Sequence, residues 1–323
     1  MIVLLVFMSA QVFAKKQKKI LIIESYHKEF KWDSDYRKSI SDYLKANYTL
    51  SFFEMNTKKI SKQNYENVAQ SAWEYSLDYN PDLVILGDDT ALSLLGERFE
   101  HAKIPTVYLG IKSDPKLYFD KDPLYITGIY AKPLVLKTAQ YLKEILPKTK
   151  RALILFDKSK SSEVLYQEIL KNINNNYVSG ILFQVETIEN FINWQSLVLN
   201  ARRNFDVIIV GLYQYLKGEN GNEIDSEEVM KWTSKFTPVP VFGLWDNSVG
   251  KEKAIGGLVV SSSAQGYEAA KMAEKILIYP HVLPKSIPPV YVEEGSVLFS
   301  KFQLKKWRIK LSKNLVHDAS FID

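Results

Sequence analysis

The stretch PDLVILGDDT (residues 81–90) shows the plan of this chain, because an apolar run of strand length ends there in a polar, turn-prone cluster. FDVIIVGLYQ (205–214) repeats this arrangement in the second half. Two further pairs stand in the same relation: KKILIIESYH (18–27) with KRALILFDKS (150–159), and IPTVYLGIKSDP (104–115) with VPVFGLWDNS (239–248). The repeated series predicts two α/β units of similar plan.

Segments with helical periodicity separate these apolar runs. Tyr36, Ile40, Tyr43 and Leu44, for example, recur at the spacing of one helix face. The resulting β-α-β-α-β order predicts parallel strands joined by right-handed crossovers. Ligands of such sheets bind outside the carboxyl ends of the strands, which is where the polar clusters fall. The sequence therefore predicts a two-lobed protein that closes on a small ligand.

Extended segments with Gly or Pro mark the crossings between the lobes. The first is YITGIYAKP (125–133), and a second lies near residues 256–263, where the sequence is Gly-rich. IPPVYVEEGSVLFS (287–300) is predicted to be a returning strand or hairpin. With three crossings each lobe is discontinuous in sequence, so the lobes are expected to be hinged. The expected limits are residues 15–128 with about 262–282 for lobe 1, and residues 129–255 with about 283–323 for lobe 2.

The composition and the amino-terminal residues indicate an exported protein. The 323 residues, 46% of them hydrophobic, suit two domains. Residues 2–8 are almost wholly apolar and precede Val12, Phe13 and Ala14, so residues 1–14 are predicted to be a signal peptide, although no Lys or Arg precedes the apolar core. The absence of cysteine excludes a lipid-anchored amino terminus, disulfides and thiol catalysis. We therefore expect a soluble, monomeric protein of the periplasm.

Charge and motif patterns favour binding over catalysis. The 42 basic and 37 acidic residues are intermixed, so no nucleic-acid partner is expected. The four histidines lie far apart without the spacing of metal ligands. Gly250 and Lys251 do not form a phosphate loop, because Trp245 stands where the first glycine is required. We expect no cofactor, no metal and no enzymatic activity, and a hydrolase or isomerase on the same fold stays open as an alternative.

Several motifs, in this order, resemble the ABC-transporter substrate-binding family. They are SYH (25–27) after the first strand, IPTVYLGIKSDP before the crossing, TGIYAKP (127–133) at the crossing, and GGLVVSSSAQGYEAAKMAEKIL (256–277). The resemblance implies the type I periplasmic-binding fold, which consists of two Rossmann-like lobes with parallel sheets joined by a multi-crossing hinge. It also implies capture of a small solute, frequently an amino acid, for an ABC permease in the inner membrane. SYH followed by Trp32 resembles, as an alternative, the extracytoplasmic sensing modules of histidine kinases.

The polar clusters at the strand ends supply the candidate ligand contacts. Lobe 1 offers Ser25, Tyr26, Asp88, Asp89, Thr90 and Gly110, lobe 2 offers Asp157, Ser159, Ser161, Tyr213, Trp245 and Asp246, and the first crossing offers Tyr130. A carboxylate would pair with a ligand ammonium, hydroxyls and helix-start amides would receive a carboxylate, and aromatic rings would stack on the ligand or hold a cation. The same residue types also cap helices or pack in cores, so both interpretations stay open at each position.

Overall fold

Two parallel sheets form the frame of the two lobes. The computed structural model describes residues 17–172, 177–292 and 295–323. Its strands are β1 (Lys19–Glu24), β2 (Thr49–Glu54), β3 (Leu83–Gly87), β4 (Thr106–Ile111), β5 (Ile126–Tyr130), β6 (Arg151–Asp157), β7 (Tyr177–Val178), β8 (Ile181–Ile188), β9 (Val207–Val210), β10 (Val241–Gly243), β11 (Gly256–Val259), β12 (Val290–Tyr291), β13 (Ser296–Ser300) and β14 (Ser320–Ile322). The predicted signal peptide, residues 1–14, lies outside the described residues.

The helices lie mainly between successive strands, as a parallel sheet requires. They are α1 (Lys31–Leu44), α2 (Tyr65–Tyr79), α3 (Asp88–His101), α4 (Val135–Ile145), α5 (Lys160–Asn172), α6 (Phe191–Asn200), α7 (Ser226–Phe236), α8 (Ser262–Ile278), α9 (Lys301–Lys306) and α10 (Lys313–Asp318). Within the described ranges, none of these helices combines the length and the apolarity that a membrane span needs.

The sheet of lobe 1 has the strand order β12-β5-β4-β3-β1-β2 with all neighbours parallel. Successive side chains of a strand point to opposite faces, so β1 serves two cores. Ile20 and Ile22 belong to the core that contains α1 and α8 residues, whereas Leu21 and Ile23 belong to the core formed with α2 and α3. The apolar run of β1, residues 20–23, follows from this burial on both faces.

Helix α8 joins lobe 1 although it follows the lobe 2 strands in sequence. It packs directly on α1, and the contact is so close that a Cβ atom on Gly266 would lie 2.5 Å from the backbone oxygen of Tyr36. Glycine is therefore required at this crossing of the two helices. The contact places residues 262–278 in lobe 1.

The sheet of lobe 2 has the order β10-β9-β6-β8-β7, in which only the edge strand β7 is antiparallel. Leu153 and Leu155 of β6 pack in one core with Trp194 of α6 and Met230 of α7. A smaller sheet, β11-β13-β14, completes the lobe. This sheet adjoins β10: just before β11, the Ile255 amide donates a hydrogen bond to the Val241 oxygen of β10 at 2.7 Å.

The chain stays with lobe 1 for longer than the sequence analysis expects. Residues 283–291 are expected in lobe 2, but Val290 pairs with Ile129 and Tyr291 with Tyr130 at the edge of the first sheet. Residues 287–300 are expected to form a returning strand or a hairpin; they contain two strands, β12 and β13, which belong to separate sheets and so do not pair as a hairpin. The pairing of a two-residue edge strand depends on its tertiary neighbour, and periodicity over so few residues does not reveal it.

Candidate ligand-binding site

A cavity of about 70 Å³ lies between the two lobes. Lobe 1 contributes Tyr26, Phe30, Trp32, Lys58, Asp88, Asp89, Thr90 and Lys112, and lobe 2 contributes Ser159, Ser161, Gly211, Leu212, Gln214, Tyr215, Trp245 and Asn247. At about 10–15 Å³ for each water-sized sphere, this volume holds roughly five to seven of them. The cavity therefore suits a small ligand in the arrangement that the lobes adopt here.

Strand ends position most of these side chains. Tyr26 follows β1, Lys58 follows β2, Asp88 follows β3 and Lys112 follows β4. In lobe 2 the loops after β6, β9 and β10 supply Ser159, Gln214 and Trp245, among others. The carboxyl ends of parallel strands meet at one edge of a sheet, so residues far apart in sequence come together.

Two tryptophans, one from each lobe, form part of the cavity wall. Trp32 and Trp245 are each only 3% exposed. Among the described residues, neither indole N–H has a hydrogen-bond acceptor. Buried tryptophan N–H groups usually have a partner, so both are candidate donors to a ligand.

Lys112 lies between two carboxylates at the base of the cavity. Its Nζ is 2.7 Å from Asp88 Oδ1 and 3.7 Å from Asp89 Oδ2, and it also donates to the Gly110 oxygen at 3.2 Å. Burial alone would lower the pKa of Lys112, but Asp88 and Asp89 outweigh that and raise it. The ammonium group is therefore held in its charged form.

Asp88 and Asp89 have different hydrogen-bond partners. Both Asp89 oxygens are occupied by protein donors: Oδ1 accepts from the Ser113 amide and the Tyr118 hydroxyl, and Oδ2 accepts from the Lys112 amide. Asp89 thus holds the loop after β4. Asp88 has a positive φ of 74°, a conformation that non-glycine residues adopt rarely and Asp more often than most. Its Oδ1 accepts from Lys112 Nζ and from the Asp89 amide.

Lys58 reaches the cavity from the loop after β2. Its Nζ lies 3.8 Å from the ring centroid of Phe30 and 4.7 Å from that of Tyr26. Burial lowers the pKa of Lys58 to about 8, while the nearby Asp88 opposes the shift. In contrast to Lys112, this ammonium has no ion pair with a carboxylate in the described ranges.

An acidic cluster lies behind the lobe 1 wall. Glu24 at the end of β1 is fully buried, and its Oε2 is 3.1 Å from Nη1 of Arg37. Asp33 is also fully buried and accepts a hydrogen bond from the Tyr26 amide at 3.1 Å, which fixes the loop after β1. Burial raises the pKa of Glu24 to about 7 and that of Asp33 well above its usual range.

Seven of the candidates from the sequence lie on the cavity wall. They are Tyr26, Asp88, Asp89, Thr90, Ser159, Ser161 and Trp245. Trp32 lies there as well. From the sequence it could equally have packed between the first loop and its helix. The strand-end argument thus finds residues from both lobes.

Other candidates hold the loops rather than line the cavity. The Ser25 hydroxyl accepts from the Ala91 amide at 2.9 Å and so caps α3. Asp157 accepts from the Ser159 and Tyr215 amides and from the Ser162 hydroxyl, which ties together the loops after β6 and β9. Asp246 accepts from the amide and hydroxyl of Ser262 at the start of α8. Capping and ligand binding use the same side-chain oxygens, which is why sequence alone leaves both open.

Three further candidates lie away from the cavity wall. Tyr213 is 2% exposed and packs in the core of lobe 2. The Gly110 amide donates to Gln265 of α8 at 3.1 Å. The Tyr130 ring stacks on that of Tyr291 with 4.5 Å between centroids, so it packs where the crossing segments meet.

The sequence analysis does not select several wall residues. Phe30, Lys58, Lys112, Gln214, Tyr215 and Asn247 are the clearest examples. Lys58 belongs to the cluster MNTKK (55–59) at the end of β2, and Lys112 belongs to the quoted stretch IPTVYLGIKSDP. Had the polar residues after every strand been taken as candidates, Lys58 and Lys112 would have been among them.

Comparison with known proteins agrees with this architecture. The family described as ABC transporter substrate binding protein matches residues 44–322. The chain belongs to this family. A search of curated proteins gives no match. Both the predicted family and the predicted type I periplasmic-binding fold are confirmed.

Several solved structures share the fold of this family member. A conserved domain protein from Vibrio cholerae has a TM-score of 0.67 at 19% identity and covers 95% of this chain and 100% of its own. An ABC domain from Streptococcus pneumoniae in complex with L-Trp has a TM-score of 0.67 at 15% identity, with 95% and 100% covered. The ligand-free, open structure of CD0873, a substrate-binding protein with adhesive properties from Clostridium difficile, has a TM-score of 0.67 at 18% identity, with 95% and 99% covered.

Proposed function

We propose that this protein captures a small molecule between its lobes in the periplasm and delivers it to an ABC importer in the inner membrane. The observation that carries the proposal is the cavity itself, whose wall comes from both lobes and contains two buried indole N–H groups that have no acceptor among the described residues. Such a mixture of aromatic walls and a few orienting polar groups is typical of small-molecule sites. The proposed role is binding without catalysis.

Lobe closure is the proposed mechanism of capture. Lys62 of lobe 1 already contacts lobe 2, with its Nζ 5.2 Å from the Tyr215 ring centroid and 3.9 Å from Glu223 Oε1. Trp32 and Trp245 are almost inaccessible in this arrangement. A ligand therefore has to enter while the lobes are apart, and the hinge at the crossings allows that movement.

Binding is expected to stabilise and compact the protein. Amino acids and related amines are the first compounds to screen, because the pneumococcal relative is in complex with L-Trp. A ligand at a hundredfold excess over its Kd adds about 2.7 kcal/mol to the apparent stability. A thermal-shift screen should yield such a compound, and small-angle scattering should then show a smaller radius of gyration. A saturating ligand that leaves the radius unchanged would contradict closure.

Delivery needs its own experiment. The loaded protein should stimulate ATP hydrolysis by its permease in proteoliposomes, because the closed form presents a different surface from the open one. Stimulation of a histidine kinase by the loaded protein, without any effect on a permease, would instead support the sensing alternative.

Trp245→Ala is expected to weaken binding of the screened ligand about tenfold or more, equivalent to about 1.4 kcal/mol. The substitution removes an aromatic wall and one N–H donor from the cavity. Isothermal titration measures the change. Trp232→Ala is the control, because Trp232 is another tryptophan of lobe 2 but is only partly buried and packs against Phe191 and Phe236 away from the cavity. Equal affinities of the two variants would remove Trp245 from the site.

A further inference from the structure

The charged side chains on the cavity wall differ in how many protein partners they have. Asp89 gives both oxygens to protein donors, and Asp88 shares Lys112 with it. Of the two acids that the sequence offers as an anchor for a ligand ammonium, Asp89 is thus engaged through both oxygens and Asp88 through Oδ1. An ammonium group would have to compete with Lys112 for them.

Lys58 is the opposite case. It lies against the faces of Phe30 and Tyr26 and is half-buried. These rings stabilise a cation only modestly, whereas a buried ammonium favours an oxyanion partner. Among the described residues no carboxylate forms an ion pair with it, although Asp88, Asp33 and Asp157 favour its charged form without direct contact.

The two indoles point to the same kind of partner. Trp32 and Trp245 are both 3% exposed, both line the cavity, and both lack an acceptor for Nε1–H in the described part of the chain. An indole N–H can only donate a hydrogen bond. One cation and two donors, contributed by both lobes, thus line the same cavity without an oxygen acceptor among the described residues. An oxygen acceptor on a ligand would satisfy each of them.

We infer that the ligand carries an anionic oxygen group, and that Lys58, Trp32 and Trp245 form the part of the cavity that binds it. This inference rests on the proposed function, since it presumes that the cavity holds a ligand. A purely cationic ligand would bring a second positive charge to Lys58, and a neutral ligand would leave that charge buried without an oxyanion in contact with it. The chemistry is that of a carboxylate or a phosphate.

Matched compounds test the charge preference directly. Each set keeps one skeleton: 3-phenylpropionate, L-phenylalanine and phenethylamine form the first, and indole-3-propionate, L-tryptophan and tryptamine form the second. Benzyl phosphate adds the phosphate arm. Isothermal titration at pH 7 should show that the carboxylate-bearing members or the phosphate bind at least about tenfold more tightly than the amines, because only they pair with Lys58.

Variants of Lys58 test the residue. Lys58→Met should weaken binding of the best anionic probe about tenfold or more. Lys59→Met is the control, because Lys59 is exposed and pairs with Glu29 outside the cavity. Circular dichroism should be the same for all the variants.

The pH dependence separates a charge role from a packing role. Burial and the charge of Lys112 lower the pKa of Lys58 to about 8, and the carboxylates of Asp88, Asp33 and Asp157 oppose that shift, so the free protein loses this charge between pH 7 and pH 9. Affinity for the anionic probe should then fall about tenfold at pH 9 in the parent protein. Lys58→Arg should bind at pH 7 and keep its affinity at pH 9, because arginine stays protonated.

The outcomes distinguish this inference from the proposed function. Tighter binding of the amines, or an unchanged affinity after Lys58→Met, would overturn the anionic-ligand inference and leave the binding function intact. Binding of benzyl phosphate but of no carboxylate would support the inference with phosphate as the group. If the parent protein binds none of these probes and nothing in a general solute library, the proposed function fails and the inference fails with it.

Discussion

Lys112→Met is expected to lower the free energy of unfolding by about 3–5 kcal/mol, because it leaves a buried charge without its partner. The Lys112, Asp88 and Asp89 side chains are only 10%, 5% and 11% exposed. These groups are largely shielded from water, so their charges are stabilised mainly by pairing with one another. Chemical denaturation at pH 7, followed by circular dichroism, measures the loss.

A second substitution shows whether the loss comes from the orphaned charge. Asp88→Asn combined with Lys112→Met should recover a large part of the stability, since it removes one of the carboxylates left without a cation. Lys116→Met is the matched control: Lys116 and its partner Asp122 are 74% and 54% exposed, so little change is expected. If Lys112→Met and Lys116→Met cost the same, the buried triad is not an important source of stability.

The effect of Glu24→Gln on the free energy of unfolding, relative to the parent protein, is expected to become more favourable by about 3 kcal/mol between pH 4 and pH 8. Burial raises the pKa of Glu24 from 4.5 to about 7. The folded state therefore binds the proton more tightly than the unfolded state. The contribution of Glu24 to stability is complete below pH 4.5 and is lost as the pH rises to 7. Glutamine does not ionise, so the variant avoids that loss. Denaturation curves of parent and variant across this range measure the difference.

Glu54→Gln provides a control of opposite sign. Glu54 binds the same arginine, with its Oε1 3.0 Å from Arg37 Nη1. Burial acts to raise its pKa, but hydrogen bonds from Arg37 and from the Lys28 amide outweigh that and lower it. The stability that Glu54 contributes is present above its unfolded pKa and is lost as the pH falls, so Glu54→Gln should cost more at pH 8 than at pH 4. Parallel pH profiles for the two variants would contradict the assignment of the raised pKa to Glu24.

Burial on both faces explains which strands the sequence reveals. β1, β3, β6 and β9 are almost entirely buried, and a strand covered on both sides has an almost continuous apolar run in its interior. These are the runs that the repeated series contains. β2 and β8 have partly or fully exposed positions and correspondingly mixed sequences, TLSFFE and ILFQVETI, so they are less conspicuous. β12, with two residues, exists only through its pairing with β5.

The candidate site also has features that the sequence predicts and features that only the tertiary structure sets. The position of a polar cluster after an apolar run is a property of the sequence, and parallel topology brings such clusters to one edge of each sheet. For this reason Tyr26, Asp88 and Trp245 could be predicted to lie on the cavity wall, where the structure places them. The direction of each side chain depends on its backbone conformation and on donors contributed by other loops.

Asp88 and Asp89 show the difference most clearly. They are chemically identical neighbours in sequence, yet the Ser113 amide and the Tyr118 hydroxyl engage Asp89, while Asp88 pairs with Lys112. The sequence by itself determined the α/β plan, the two lobes and the loops that meet between them, because hydrophobic periodicity and strand-end chemistry are local. Only the tertiary structure decided that Asp89 holds a loop and that Lys58 has no ion pair with a carboxylate in the described ranges, because such contacts depend on groups that are distant in sequence.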